Sequence, residues 1–509
     1  MINKKILLRS AVVAAVLAPS VSFASGYKIN EQSAAGMGTA HAGRAAMAED
    51  ASVVFYNPAA MTELDRAQFT GGFTYIKAHG DFDGDATNAA GAIITGADDA
   101  DPYNDGGNYL GEAFIPFFYY VQPINEKLSF GLGIFTPFGT NTDYDEGFVG
   151  GGFADETSLV SFEIQPSIAY KINDQFSIGG GIDIVYMDGL LSKYVDSVPY
   201  SAQLAAAFTA NNIPVTAGTP LADSQYQGYE GHYEVSGDDW GYGWNIGAYY
   251  KLSEATTLGF TYRSEIKIKL EGDSTFEGNE FAIYNSAGTT SENATSPMDV
   301  AWAMDDSVTV LPVSDQASKV PLTTPASATL SIAHQATDDL LLQAGTTWTG
   351  WSSFQNFDVI ATERATPSQA DGLDISDVSY ANGLDAGYIG HIDESWTDVW
   401  AASIGATYQL NDRLALRAGY AYDESPVDSE YRTARVPSSD RQWVTLGMGY
   451  IVNQDLSFDV AAGYLFMNKM SLQEVNKKND NTPTDSKASV TGEYEIDVFG
   501  LSAQVNYKF

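Results

Sequence analysis

Catalysis and metal binding depend on a few side-chain types, and this chain carries those types only in scattered positions. It has no cysteine, so disulfides, thiolate metal ligands and cysteine nucleophiles are excluded. Its five histidines fall in separate segments, without a metal-ligand spacing such as HExxH: His41, His79, His232, His334 and His391. The chain also lacks a G-x-S-x-G elbow. These residues predict neither an enzyme nor a metal site, and no cofactor is expected.

Two arginines are candidates for binding a negatively charged ligand, Arg263 and Arg417. In each segment the arginine alternates with apolar residues, so the two kinds of side chain point to opposite sides of a strand. The apolar neighbours are Leu258, Phe260 and Tyr262 in the first segment and Leu414, Leu416 and Ala418 in the second. If these segments are strands of a barrel wall with the arginines on its inner face, each arginine either binds a ligand carboxylate or pairs with carboxylates of that wall. The sequence leaves both alternatives open.

The chain is strongly acidic, with 65 Asp and Glu against 26 Lys and Arg and a net charge of −39. This balance excludes nucleic-acid binding by electrostatics. Much of the acid lies in two stretches that contain no Lys or Arg, residues 78–126 and 270–318. We expect these stretches to include solvated loops that face anionic lipopolysaccharide, with a calcium site as the less favoured alternative.

Alternation of apolar and polar residues predicts the elements that position these side chains. In the last segment Leu501, Ala503, Val505, Tyr507 and Phe509 share one parity and polar residues hold the other, so one face suits lipid and the other a wet interior. A terminal aromatic is typical of bacterial outer-membrane barrels. The pattern recurs in about fourteen segments: residues 67–77, 111–124, 128–139, 158–172, 175–190, 239–252, 256–270, 320–335, 340–354, 394–410, 413–422, 441–452, 456–467 and 491–509.

Short polar turns alternate with long connections between these segments, as in a barrel with short periplasmic turns and long extracellular loops. The sequence therefore predicts an all-β fold, a transmembrane antiparallel β-barrel of about fourteen strands. The connection at residues 271–321 is unusually long and is expected to hold a small hairpin.

The first 24 residues have a basic start, an apolar stretch and small residues before a cleavage point, which predicts a secretory signal peptide. No later run of about eighteen apolar residues exists that would form a spanning helix. An export signal followed by aromatic-rich alternating strands predicts the bacterial outer membrane as the location.

Residues 25–66 are rich in Gly and Ala, contain Asn57-Pro58-Ala59 and show no sustained helix or strand period. On composition they form either a flexible extension or a compact plug. The strands predicted for residues 67–509 favour a plug, or hatch, inside the barrel lumen.

Several motifs give this chain a resemblance to a known family. They are Gly26 to Glu31 (Gly-aromatic-x-x-Asn-Glu), Gly36-x-Gly38-x-Ala40, Ala48 to Ala51, Asn57 to Ala59, Trp348 to Phe354, and Pro437-x-x-Asp440-Arg441. The chain resembles the FadL-type outer-membrane transporters of long-chain fatty acids and other hydrophobic compounds.

The resemblance implies a ligand pocket that contains Tyr27, the near-terminal aromatic residue. Lys193 occupies the place of one of the family's carboxylate-binding basic residues. Ile392 occupies the place of the second, and the neighbouring His391 is the closest titratable substitute. This mismatch leaves fatty acids and neutral aromatic or aliphatic hydrocarbons as alternative cargoes.

A capture groove on the extracellular side is a second implication. The loop before residue 239 contains an Ala-rich segment in which Leu204 and Phe208 are four residues apart and share one face of a helix. They line a groove for hydrophobic cargo, or they close a small core of the loop itself.

The resemblance also implies an inward kink of the third strand that opens the barrel wall sideways. Pro137 cannot donate a backbone hydrogen bond, and Gly139 tolerates a bend. Pro137, Phe138 and Gly139 would line the opening, although Pro137 could also simply end the strand.

Together these features predict a monomeric transporter whose partners are a hydrophobic small molecule, outer-membrane lipid and lipopolysaccharide. Cargo would be captured at the loops, bound in the pocket, and released sideways after the plug rearranges. A general porin is the less favoured alternative, because a plug obstructs a water-filled lumen.

Overall fold

The computed structural model describes residues 26–88, 91–95, 103–195, 231–278, 281–284, 290–294, 316–362, 384–385, 387–484 and 486–509. The predicted signal peptide and the capture residues Leu204 and Phe208 lie outside this part of the chain. Among the described residues, no helix is both long and apolar enough to cross a membrane.

The structure consists mainly of strands. They are β1 (Gln68–Thr87), β2 (Ile93–Thr95), β3 (Glu112–Pro123), β4 (Leu128–Phe135), β5 (Gly139–Asp143), β6 (Glu156–Lys171), β7 (Phe176–Val195), β8 (Gly231–Lys251), β9 (Thr256–Arg263), β10 (Ile266–Gly278), β11 (Phe281–Tyr284), β12 (Thr290–Ala294), β13 (Gln316–Thr324), β14 (Ser327–Gln335), β15 (Leu340–Thr349), β16 (Asn356–Ala361), β17 (Tyr388–Asp393), β18 (Val399–Asn411), β19 (Leu414–Asp423), β20 (Arg441–Ile451), β21 (Leu456–Met467), β22 (Met470–Val475) and β23 (Ser489–Lys508).

Antiparallel pairing of consecutive strands closes the sheet into a barrel. β23 pairs with β1 from Lys508 opposite Gln68 to Ser489 opposite Thr87, so no edge remains at the chain ends. Six passes of the wall are made of two successive strands: β4 with β5, β9 with β10, β13 with β14, β15 with β16, β17 with β18, and β21 with β22. The wall therefore has fourteen passes, which confirms the predicted barrel. The hairpin expected in the long connection is β11 paired with β12.

Alternation places apolar side chains outside and polar ones inside. In β23, Leu501 and Tyr507 are exposed on the outer face, whereas Ser502, Gln504 and Asn506 are buried on the inner face. Because lipid offers no hydrogen bonds, the outer face must be apolar and the backbone must be satisfied by neighbouring strands. The sequence predicted this arrangement correctly.

The predicted continuous segment at residues 256–270 is wrong in one respect. The strand breaks at Ser264 and Glu265, and the inward parity changes there: Arg263 points inward, and after the break Ile266 does as well. A one-residue irregularity shifts every later side chain to the opposite face.

The N-terminal segment before β1 folds into short turns. It contains two α-helices, Ala34–Met37 and Val53–Tyr56, and two 3-10 helices, Arg44–Ala46 and Pro58–Glu63. A further 3-10 helix, Trp351–Ser353, follows β15. Most residues of this segment are buried. They contact wall strands that lie far apart in the order of strands around the barrel. These contacts are consistent with the predicted plug, and we call residues 26–66 the plug.

Glycines in the wall permit the close contact with the plug. A Cβ on Gly259 of β9 would lie 1.8 Å from the carbonyl oxygen of Ala45, and a Cβ on Gly419 of β19 would lie 2.1 Å from the carbonyl carbon of Thr39. A side chain at either position would collide with plug backbone, so the plug sits against the bare strand surface.

The described residues form several apolar clusters inside the barrel, and two of them adjoin the start of the plug. The pocket cluster contains Tyr27, Phe138, Leu159, Val185, Met187, Val195, Tyr233, Val235, Ile266, Ile268, Leu270, Val320, Leu322, Trp351, Phe354, Phe357, Val359, Ala361, Ile389, Trp396, Val399, Val427 and Val436. The second, which we call the wall cluster, includes Ile29, Tyr109, Ala113, Ile115, Tyr144, Phe148 and Tyr494.

Candidate functional site

The pocket cluster is organised around the ring of Tyr27 at the start of the plug. Its centroid lies 4.7 Å from that of Trp351, 5.4 Å from that of Phe354 and 5.8 Å from that of Trp396. The centroid of Phe138 lies 6.0 Å away. These edge-to-face and tilted contacts pack the rings together, and we call Tyr27, Trp351, Phe354 and Trp396 the aromatic box.

A small cavity adjoins this aromatic box. Its free volume is about 20 Å³, and its lining includes Tyr27, Leu159, Leu191, Val235 and Val320. That volume holds roughly one water-sized sphere. The cavity is therefore closed to a long acyl chain until side chains of the pocket cluster move.

Basic residues lie beside the cavity at one side. Lys193 follows Leu191 on the inward parity of β7, and its electrostatic neighbours are Arg435 and Glu474. Arg435 is 3% exposed and donates to Thr157 Oγ1 at 3.2 Å, and Thr157 lines the cavity. The described residues contain no carboxylate within ion-pair distance of Arg435, and its Nε has no hydrogen-bond partner there.

A buried carboxyl group, Glu394, connects these cations to the aromatic box. It lies between β17 and β18, accepts a hydrogen bond from Trp396 Nε1 at 2.9 Å, and accepts another from Thr433 Oγ1 at 3.2 Å. Arg435 and Tyr27 are among the groups that interact electrostatically with Glu394. Glu474 is a further charged neighbour of Glu394.

No sequence pattern predicted a role for Arg435 or Glu394. A signal was present, because Arg432 and Arg435 lie close together in the connection before β20, which itself begins with Arg441, in an otherwise acidic chain. Nothing in the local pattern indicated that this connection turns into the lumen.

Arg263 and Arg417 both face the interior, as their parity predicted. Arg263 Nη1 lies 2.6 Å from Glu163 of β6 and 3.0 Å from Asp183 of β7. Arg417 Nη1 lies 2.6 Å from Asp459. These contacts favour the alternative in which such arginines pair with carboxylates of the wall.

His391 is held by neighbours outside the pocket cluster. Its Nδ1 lies 2.7 Å from Asp358 Oδ1, and its Nε2 lies 2.9 Å from Asn481 Oδ1. Since both ring nitrogens are engaged, we do not include His391 in the proposed ligand site. The neighbouring Ile392 does pack against the pocket cluster.

The third pass of the wall is interrupted at Pro137. β4 ends at Phe135 and β5 begins at Gly139, and β5 pairs with β6 alone. β3 pairs with β4 only from Pro123 opposite Ser129 to Phe118 opposite Ile134, and in the described chain no registered pair joins residues 112–117 to β5. We call this interruption the β3–β5 gap; Ala113 and Ile115 of the wall cluster lie at it.

The plug pairs with the interrupted segment. Ile29 donates its backbone N–H to Pro137 at 2.8 Å, and Gly139 donates to Tyr27 at 2.9 Å, around a bridge between Lys28 and Phe138. Tyr27 lies in the pocket cluster and Ile29 in the wall cluster. This two-stranded bridge therefore separates the pocket from the β3–β5 gap.

The Asn57-Pro58-Ala59 motif fixes the other end of the plug. Asn57 Nδ2 donates to the carbonyls of Ala45 and Ala248, at 2.6 and 3.0 Å, while its Oδ1 accepts from Ala59 N–H at 3.1 Å. A buried amide with these partners satisfies plug backbone and attaches the plug to β8.

In the described ranges, no group of three or more His, Asp or Glu residues could hold a metal ion. The calcium alternative for the acidic loops therefore receives no support from the described residues.

Comparisons with known proteins agree with this architecture. Residues 15–509 match the family model described as outer membrane protein transport protein (OMPP1/FadL/TodX). The chain is 28% identical over 483 residues to the long-chain fatty acid transport protein of Escherichia coli O6:H1, covering 93% of this chain and 94% of the relative.

Solved structures show the same fold. A Pseudomonas aeruginosa FadL homologue superimposes with a TM-score of 0.75 at 27% identity, covering 95% of this chain and 100% of the homologue. The Ralstonia pickettii toluene transporter TbuX superimposes with a TM-score of 0.57 at 17% identity, covering 94% and 99%, which shows likeness of fold alone. The chain therefore belongs to the OMPP1/FadL/TodX family of outer-membrane transport proteins.

Proposed function

We propose that this protein takes up long-chain fatty acids through the outer membrane. The observation that carries the proposal is the apolar pocket built on Tyr27, with Lys193 and Arg435 beside it. An acyl chain needs the apolar walls, whereas its carboxylate needs a cation in a dry environment. Hydrogen bonds to charged groups in such a place contribute about 1.5–3 kcal/mol.

The closed cavity supports a binding step that moves the plug. Because the cavity holds about 20 Å³, an acyl chain must displace part of the aromatic box. We expect Tyr27 to be the residue of the box that moves when an acyl chain binds, because it belongs to the N-terminal end of the plug and not to the wall. Its displacement would pull on Ile29 and on the bridge to Pro137.

Sideways release is the proposed last step. When the bridge between Tyr27–Ile29 and Pro137–Gly139 separates, the pocket joins the β3–β5 gap. Among the described residues, the hydrogen bonds from Ile29 to Pro137 and from Gly139 to Tyr27 join its two sides, each with a net value of about 0.5–1.5 kcal/mol. Hydrophobic cargo would then enter the bilayer, a better solvent for it than the periplasm.

Mass analysis of lipid extracted from the purified protein tests the cargo. We expect free fatty acids in about equimolar amount with the protein. Binding of a fatty acid compared with its methyl ester tests the head-group contact, and equal affinities would remove Lys193 and Arg435 from the proposal.

Neutral aromatic hydrocarbons are the second candidate cargo. Tyr27, Trp351, Phe354 and Trp396 form a box suited to a flat ring, and the structurally similar TbuX is named as a toluene transporter. An extract rich in neutral aromatics, or tighter binding of toluene than of a fatty acid, would favour this candidate.

A further inference from the structure

A second interruption of the wall lies between β8 and β10. β8 pairs with β9 from Lys251 opposite Thr257 to Asn245 opposite Arg263, and with β10 from Asp238 opposite Glu271 onward. Between these ladders, residues 239–244 face residues 264–270, and the described chain has no registered pair there. The other edge of β8 stays paired with β7 throughout this stretch. We call the interruption the β8–β10 gap.

Side chains fill the β8–β10 gap where ladder pairing is missing. A Cβ on Gly241 would lie 2.5 Å from side-chain atoms of both Ile266 and Ile268, and one on Gly243 would lie 2.7 Å from Ile266. The two isoleucines therefore pack directly onto the bare backbone of β8. Ser264 closes one end of the gap. Its backbone N–H donates to the Trp244 carbonyl at 2.9 Å, and its side-chain Oγ accepts from the Trp244 N–H at 3.0 Å.

The inner side of this gap is the ligand pocket itself. Ile266 and Ile268 are 1% and 3% exposed and belong to the pocket cluster. A molecule passing here would reach the pocket without crossing the bridge between Tyr27 and Pro137. This route is therefore separate from the β3–β5 gap.

On its outer side, the gap is bordered by exposed aromatic residues on one edge and by charged residues on the other. On β8, Tyr242 and Trp244 are exposed aromatics. On the other edge, the outward residues are Glu265 just before β10 and Lys267 and Lys269 of β10. Aromatic side chains mark the membrane interface of outer-membrane barrels, and charges lie beyond it. By contrast, the β3–β5 gap is bordered outside by the exposed rings of Phe114 and Phe118.

We propose that the β8–β10 gap is a side opening through which an amphipathic molecule dissolved in the outer leaflet inserts its acyl chain into the pocket. A fatty acid in that leaflet has its head group at the interface and its tail below. This arrangement matches the charged and the aromatic residues that border the gap on its outer side. Opening requires rotation of Ile266 and Ile268 and no loss of ladder hydrogen bonds. The inference rests on the proposed function, since it supplies that pocket with cargo.

A disulfide across the gap tests the opening in a chain that has no other cysteine. In Gly241→Cys/Ile268→Cys the two positions are within disulfide reach, because a Cβ on Gly241 would lie 2.5 Å from Ile268 Cγ1. The full chain is placed in lipid vesicles preloaded with a fatty acid that carries a terminal diazirine. Illumination after increasing times, followed by mass spectrometry, measures how fast Tyr27 and Met187 peptides become labelled.

We expect the oxidised variant to fill its pocket from lipid several-fold more slowly than wild type, and to recover on reduction. The control, Ser236→Cys/Asp273→Cys, joins the same strands at a registered pair and should fill at the wild-type rate. Equal filling rates in the oxidised and reduced forms of the gap variant would overturn the proposal.

A second pair of variants tests the isoleucines by removing them. Ile266→Ala/Ile268→Ala should fill faster from lipid than Val359→Ala/Ile389→Ala, which removes apolar volume from the same pocket cluster on β16 and β17. Equal rates in the two variants would also count against the opening. If wild type is labelled neither from lipid nor from an aqueous cyclodextrin complex, the proposed function fails instead.

Discussion

At the scale of single residues, the proposed head-group contact depends on two cations that lie near carboxyl groups without being fixed by them. We expect Lys193→Met and Arg435→Met each to weaken fatty-acid binding by about tenfold or more, since one charge-assisted hydrogen bond contributes about 1.5–3 kcal/mol. Binding of the methyl ester should change little. Calorimetric titration of both ligands measures the difference.

The control for this prediction is Lys469→Met, which removes a cation that is 65% exposed and pairs with Glu495 on the outside. Loss of ester binding to the same extent as acid binding would show that Lys193 and Arg435 only maintain the pocket's shape.

At the scale of elements, the bridge between the plug and the third pass should control release. Lys28→Cys/Phe138→Cys joins the two residues that pair directly across it. We expect the oxidised variant to bind fatty acid but to transport it no faster than cells lacking the protein. Uptake of labelled fatty acid by whole cells, before and after reduction, provides the measurement.

Ser403→Cys/Ala421→Cys is the matched control, since it joins a registered pair of β18 and β19 in the continuous part of their ladder. Transport at the wild-type rate through the oxidised bridge variant would mean that cargo leaves the pocket by another path.

At the scale of the whole molecule, the plug is attached to the wall by buried ion pairs. Arg417 contacts Asp459 of the wall at 2.6 Å and Glu49 of the plug at 3.8 Å. Removing one partner leaves a buried charge uncompensated, so Arg417→Met should reduce the free energy of unfolding by about 3–5 kcal/mol. Urea unfolding of the purified protein in detergent measures it.

Arg66→Met is the matched control, because Arg66 pairs with Asp455 at 2.8 Å where both side chains are more than a third exposed. That change should cost about 0–1 kcal/mol. Equal effects of the two substitutions would mean that the buried pairs do not hold the plug.

Electrical recordings separate the plugged transporter from a porin. A lumen filled by the plug should give low conductance in wild type, and loosening the plug with Arg417→Met should produce more frequent large openings. A large steady conductance in wild type would contradict the plug.

The family comprises transport proteins, which confirms the expectation that the chain is not an enzyme.

The sequence by itself determined the number of passes in the wall, the inward and outward faces of most of them and the short turns between them. These features follow from local periods, because each strand must present apolar side chains to lipid and pair with its sequence neighbour. Leu501 to Phe509 shows this directly, and even the break at Pro137 has a local cause in the missing N–H.

Only the tertiary structure decided what meets inside the barrel. Tyr27 comes from the plug, Arg435 from the connection after β19 and Glu394 from the connection before β18, and no sequence spacing relates them. The break at Ser264, which turns Ile266 inward, likewise depends on Gly241 and Gly243 of another strand. Contacts between distant segments are set by closure of the barrel, and a period along one strand carries no information about its opposite wall.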